Sequence, residues 1–143
     1  MKLLLDTNVL VAGLVELHPR HEEAWLWLDR AQGDEVEGFV SLHTLAEAYS
    51  VLTTLPLAPR IRPDQAEAIL NSTSPWLQTV GLEVRDYQAA LSRMVRLNLP
   101  GGGIYDVLHA QAALKVGVDG LLTLNPKHFS RLGDDIAALV RVL

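Results

Sequence analysis

The chain has 143 residues, 49% of them hydrophobic and 20% charged, enough for a well-buried core in a single domain expected to span residues 1–143. The lack of cysteine excludes a disulfide framework, a thiolate zinc site and a cysteine nucleophile, and no apolar run approaches the roughly 18 residues needed to cross a bilayer. A formal net charge of −5 at pH 7 argues against a broad basic surface for nucleic acid, although acids gathered around a cation would reverse the sign locally.

The first ten residues lack the charged and cleavable parts of a signal peptide, so a cytoplasmic location is expected. Leu3-Leu4-Leu5 predicts a short central strand covered on both faces. A helix-compatible segment runs from Asn8 to about Glu16, and Pro19 can open a second helix that reaches Ala31 before Gly33 ends it. Phe39-Val40 marks a second strand. Leu42, Leu45, Ala46, Tyr49 and Leu52 then recur at helical spacing until Pro56 and Pro59. Pro63 suits the first turn of a helix through about Asn71. Val80 to Val84 reads as a third strand, and Asp86 to Leu97 as a helix with Tyr87, Ala90, Leu91, Met94 and Leu97 inside. After Gly101-Gly102-Gly103, an Ala-rich helix spans Ile104 to Val116 and ends at Gly117. Leu121 to Leu124 is a fourth strand and Val140 to Leu143 a fifth. Strands alternating with helices predict an α/β domain with a parallel sheet of four to five strands.

Three acids stand out in this frame: Asp6, Glu47 and Asp106. Sites in open parallel sheets form beyond the carboxyl ends of the strands. Asp6 follows the first strand at that edge, and Asn125 follows the fourth. Glu47 and Asp106 lie near the starts of helices that point to the same edge. Each acid alone has a plain explanation: a helix cap, a dipole partner, a solvated residue. Brought together on otherwise apolar elements, three carboxylates repel one another and call for a hard divalent ion such as Mg²⁺ or Mn²⁺.

The stretch Leu3-Leu4-Leu5-Asp6-Thr7-Asn8-Val9-Leu10 resembles the opening of a PIN domain. Ile104-Tyr105-Asp106-Val107-Leu108-His109-Ala110 resembles that family's third acidic motif, and Leu121 to Phe129 its C-terminal strand and turn, with Glu47 between them as the second acid. The resemblance covers nearly the whole chain and is nearest to the VapC-type toxins. It implies a three-layer α/β/α fold and a metal-dependent ribonuclease in which Asp6, Glu47 and Asp106 hold one or two Mg²⁺ or Mn²⁺ ions. Thr7, Asn8, Thr123 and Asn125 would orient carboxylates or water by hydrogen bonds. It also implies a homodimer and a small cognate antitoxin, for which the helices from Pro19 to Ala31 and from Leu42 to Leu55 are candidate contacts.

The chain departs from the fullest family pattern after the fourth strand. Many members carry a fourth acid there, where this chain has Asn125 and His128. Uncharged Asn125 implies weaker binding of a second ion, or one-ion chemistry, and a plain turn role before Pro126 stays open. Other features point less sharply. His18 and His21 lack any companion zinc motif, and the glycine triplet lacks the Gly-Lys-Ser/Thr of a P-loop. Trp25, Trp27 and Trp76 could stack bases but suit packing as well, and Asp134-Asp135 reads as a solvated turn. A housekeeping RNA-processing nuclease and a catalytically silent RNA- or protein-binding module are the rival functions. Dehalogenase-like and phosphorelay readings fail because Asn8 stands where a second aspartate is needed and Ser41 where an acceptor aspartate is needed.

Overall fold

The computed structural model describes residues 1–143. Five strands form one sheet: β1 (Lys2–Leu5), β2 (Glu37–Ser41), β3 (Leu77–Val80), β4 (Gly120–Thr123) and β5 (Val140–Val142), in the order β3-β2-β1-β4-β5. Every neighbouring pair is parallel, with Leu4 opposite Phe39 on one side and Leu121 on the other. The crossovers are helical: α1 (Thr7–Leu14), α2 (His21–Gln32), α3 (Leu42–Thr54), α4 (Pro63–Asn71), α5 (Val84–Arg96), α6 (Gly103–Val116), α7 (Pro126–Ser130) and α8 (Asp134–Ala137). No helix is long and apolar enough to cross a membrane.

The sheet divides two cores, as side-chain alternation along a strand requires. Leu3, Leu5, Val40, Leu77 and Leu122 pack with Val9, Leu10, Leu28, Leu52 and Leu70 from the α1–α4 side. Leu4, Phe39, Val80 and Leu121 pack with Met94, Val107, Leu108, Phe129 and Ile136 from the α5–α8 side. Strands buried on both faces explain why Leu3-Leu4-Leu5 and Gly120-Leu121-Leu122 read as unbroken apolar runs. The result is the three-layer α/β/α arrangement expected from the sequence.

Several boundaries differ from expectation. The third strand is Leu77–Val80 rather than Val80 to Val84. Gly81 ends it, and the Asp86 carboxylate turns back to accept the Glu83 N–H at 2.8 Å, which starts α5 at Val84. Asp86 lies inside because Lys115 of α6 donates to it at 2.9 Å, so α5 buries Asp86, Ala90 and Met94 and leaves Tyr87 and Leu91 exposed. On α3 the buried stripe is Thr44, Ala48 and Leu52, with Leu42 and Tyr49 outward. Pro19 sits in the turn before α2, which begins at His21. Asp134-Asp135 opens α8, and Asp135 makes a bidentate pair with Arg93 at 2.8 and 2.7 Å in place of a solvated turn.

The Lys115 ammonium beside Asp86, with the Glu83 N–H, holds the Asp86 carboxyl below its usual range. A depressed carboxylate pKa adds stability that is present above the unfolded-state value and is lost as the pH falls through the folded-state value. Asp86→Asn should therefore unfold at lower urea than the wild type at neutral pH, the gap closing below about pH 4. A gap that stays constant down to about pH 2 would detach Asp86 from acid sensitivity.

Candidate active site

Strand order reverses direction between β1 and β4, and α1 and α7 leave those strands toward opposite cores. A crevice at the carboxyl edge follows from that geometry. Asp6 stands there, in the N-cap position of α1, yet its side chain caps nothing and is only 6% exposed. Instead its Oδ2 accepts the Thr123 hydroxyl across the crevice at 3.0 Å, and Thr123 Oγ1 in turn accepts the Asn125 N–H at 2.9 Å. Burial pushes the Asp6 carboxyl above its usual range; His109, Thr123 and the Thr7 N–H pull it down, and the charge of Asp106 adds to the rise.

Glu47 occupies the second turn of α3, where Ser41 ends β2 and caps the helix by accepting the Thr44 N–H. Its Oε1 lies 2.6 Å from His109 Nε2 and 3.2 Å from His43 Nε2. A carboxylate only accepts, so His109 Nε2 carries a proton toward Glu47, while its Nδ1 lies 2.6 Å from the Ser41 hydroxyl. Thr44 Oγ1 lies 3.2 Å from Ser41 Oγ and receives the Thr7 hydroxyl at 3.5 Å. Ser41, Thr44 and His109 are each at most 1% exposed, so this chain of hydrogen bonds is sealed from water and links α1, β2, α3 and α6. Burial disfavours ionised Glu47, but the hydrogen bond and charge of His109, with the charge of His43, outweigh it and hold the carboxyl below its usual range.

Asp106 lies in the first turn of α6. Its Oδ2 is 3.7 Å from His128 Nδ1 and 3.6 Å from Arg131. Burial pushes the Asp106 carboxyl up, His128, His109 and Arg131 draw it back, and the charge of Glu47 raises it further. Asp106 thus feels Glu47, and Asp6 feels Asp106. The backbone gathers the three acids into one electrostatic neighbourhood. No three Asp, Glu or His side chains stand at metal-ligand spacing, however, because each acid is turned to its own partner: Asp6 to Thr123, Glu47 to His109, Asp106 to His128 and Arg131.

Of the supporting residues expected from the sequence, Thr123 orients Asp6 by its hydroxyl, and Thr7 offers Asp6 its N–H while its side chain joins the Thr44 network. Asn8 and Asn125 are exposed and their side chains bond to none of these groups. Arg131 stood among the scattered basic residues that could touch phosphate, whereas the sequence reading gave no site role to Ser41, His43, Thr44 or His109. The sequence signals for two of them are helical spacings, His43 four residues before Glu47 and His109 three after Asp106. His18 and His21 are structural: His18 Nδ1 accepts the Arg20 N–H and His21 Nδ1 bonds the Ala12 carbonyl, both at 3.0 Å. Trp25 stacks on His21, Trp27 lies under Arg30, and Trp76 donates to the Ser72 carbonyl, so none of the three touches the acids.

Fold and site define a doubly wound α/β protein with an acidic crevice at its switch point. The PIN domain family model matches residues 3–135, and the chain belongs to the PIN domain family. Ribonuclease VapC27 of Mycobacterium tuberculosis is 34% identical over 113 residues, covering 78% of this chain and 76% of that protein. Ribonuclease VapC40 of the same organism is 32% identical over 112 residues, 78% of each chain. VapBC2 from Rickettsia felis, solved bound to a DNA fragment from its promoter, shares the fold at a TM-score of 0.70 and 20% identity, over 99% of this chain and 98% of that one. VapC20 of Mycobacterium tuberculosis, a toxin that cleaves the sarcin-ricin loop, does so at 0.64 and 17% identity, over 83% and 86%.

His109→Leu leaves half-buried Glu47 without its donor and the Ser41 hydroxyl without its partner. The expected cost is about 1–3 kcal/mol of unfolding free energy in urea, with partial recovery in His109→Gln, which keeps an N–H. Wild-type stability in His109→Leu would show that the buried chain of hydrogen bonds contributes nothing net.

Proposed function

We propose that this protein is a divalent-metal-dependent ribonuclease, the toxin of a type II toxin–antitoxin pair, acting as one PIN domain in the cytoplasm. The observation that carries the reading is the convergence of Asp6, Glu47 and Asp106 at the strand switch of a PIN domain, with Asp6 and Asp106 pushed toward protonation by burial and by neighbouring negative charge. Charge that the protein leaves uncompensated, on oxygen donors alone, fits a hard cation. The names of the curated relatives supply the substrate class.

Asp6, Glu47 and Asp106 would hold Mg²⁺ or Mn²⁺. A bound ion would lower the pKa of water and offset charge on the attacked phosphodiester. The Thr123 hydroxyl fixes the rotamer of Asp6, and His109 fixes Glu47. The turn after β4 adds no fourth carboxylate: Asn125 is neutral and exposed, and His128 and Arg131 are donors. We therefore expect one ion to be held more tightly than a second. An antitoxin partner is supported by the solved VapBC and FitAB complexes that share this fold. A homodimer agrees with the outward apolar side chains Val84, Leu91 and Val95 on α5, whose removal from water would favour association.

The purified protein should cut RNA with Mg²⁺ or Mn²⁺ and stop in EDTA. Asp6→Asn and Asp106→Asn should each lower kcat/KM by more than about 100-fold, and Thr123→Val by about 10–100-fold, with circular dichroism unchanged. Full activity in either Asn variant rejects the assigned roles. Co-expression of the partner gene should relieve growth arrest if the protein is a toxin; arrest that no neighbouring reading frame relieves favours a stand-alone nuclease.

A further inference from the structure

Asp106 has unlike neighbours on its two sides. Successive helical residues are rotated by about 100°, so Tyr105 and Gly103 flank Asp106 on opposite sides of the first turn of α6. Arg131 lies against the Gly103 side: a methyl group there would stand 3.2 Å from its guanidinium. Arg131, with the His128 ring next to it, therefore makes a basic wall beside Asp106. The Tyr105 side is aromatic. The Tyr105 and His43 rings are stacked, with centroids 5.2 Å apart and planes 6° from parallel, and Tyr105 is 51% exposed, so its face away from His43 is open. His43 bonds Glu47, so this plate borders two of the three acids at once. His43 also lines a cavity of about 280 Å³ with Leu42, Ala46, Leu82 and Tyr87, at the small end for ligand sites. Beyond the start of α6 the surface is open, since a methyl group at Gly101 or Gly102 would meet nothing within 4 Å.

We propose that the open face of Tyr105, backed by His43, is a base-stacking subsite, with the RNA phosphates toward Arg131 and His128 and the base beside the cut against Tyr105. The inference rests on the ribonuclease reading above and deepens it. Aromatic faces hold any base without reading its sequence, but a base can reach one only when it is not paired in a helix. A basic wall on one side of the acids and an aromatic wall on the other match the two chemically distinct sides of a single strand.

The test maps the cut site in an unstructured RNA with Mn²⁺, then compares that RNA with a duplexed copy and with a copy carrying an abasic nucleotide next to the cut. The wild type should cut the unpaired strand in preference to the duplex. Tyr105→Leu should raise KM on the intact strand by about tenfold with kcat little changed, and Tyr105→Phe should restore it. On the abasic strand, wild type and Tyr105→Leu should have the same raised KM. A 2-aminopurine at that position should be quenched on binding to wild type and not to Tyr105→Leu. If the wild type cuts RNA but KM is unchanged in Tyr105→Leu, or Tyr105→Leu raises KM by the same factor on intact and abasic strands, the subsite is overturned while the nuclease stands. Loss of dimer in Tyr105→Leu by sedimentation, with unaltered KM, reassigns the plate to a protein interface and also overturns it. No cleavage by the wild type with Mg²⁺ or Mn²⁺ removes the ribonuclease reading itself.

Discussion

A carboxylate buried where two parallel strands part company is the constraint around which the molecule is arranged. Asp6 is nearly out of water, and an ionised acid in that position is costly unless donors surround it. The protein answers with the Thr123 hydroxyl from the adjoining strand and the Thr7 N–H from the helix that Asp6 begins. Those donors fall short of offsetting burial, which pushes the Asp6 carboxyl upward with a smaller push from Asp106. The fold thus keeps at one point of the sheet edge an acid that its own donors do not fully compensate.

The other two acids depend on packing that is remote from the crevice. α6 carries both Asp106 and His109, and its seat is fixed by Ala110, Ala112 and Ala113, all fully buried against the sheet and neighbouring helices. Lys115, near the end of the same helix, ties it to the start of α5 through Asp86 and the Gly81 carbonyl at 2.9 Å. Arg93 then ties α5 to α8 through Asp135 and the Leu132 carbonyl. On the opposite face, α3 is aimed by the Ser41 cap. His109 spans the two layers, touching Ser41 with one ring nitrogen and Glu47 with the other. A hydrogen-bonded relay of this kind sets the orientation of Glu47 more narrowly than apolar packing could, since Ser41, Thr44 and His109 behind it have lost the option of water.

Much of this was legible in the sequence where the signal is local. Leu3-Leu4-Leu5 followed by Asp6 announces a buried strand with an acid at its carboxyl end, and the position of Glu47 and Asp106 near helix starts assigns them to the same edge. The third strand was misplaced because Val80 to Val84 alternates convincingly. What decides the matter is Asp86 reaching back to the Glu83 N–H, a helix-start signal that outweighs the alternation. Tyr87 and Leu91 were expected inside α5 on hydrophobicity alone, but the Asp86–Lys115 pair turns the helix and leaves them outside. His109 could not be assigned from sequence, since its partners lie 68 and 62 residues away and exist only once the two layers have closed on the sheet. The Trp residues drew attention as possible base stackers, while the aromatic surface next to the acids belongs to Tyr105 and His43.

The central position of β1 has a consequence for timing. Its first neighbour, β2, follows after some thirty residues in chain order, but Leu5 pairs with Leu122, and the Asp6–Thr123 bond closes a loop of 117 residues. Loops of that span form late in folding. As the polypeptide leaves the ribosome, Asp6 emerges 117 residues ahead of the threonine that holds it. Until β4 has emerged and paired with β1, the nascent chain lacks an assembled crevice.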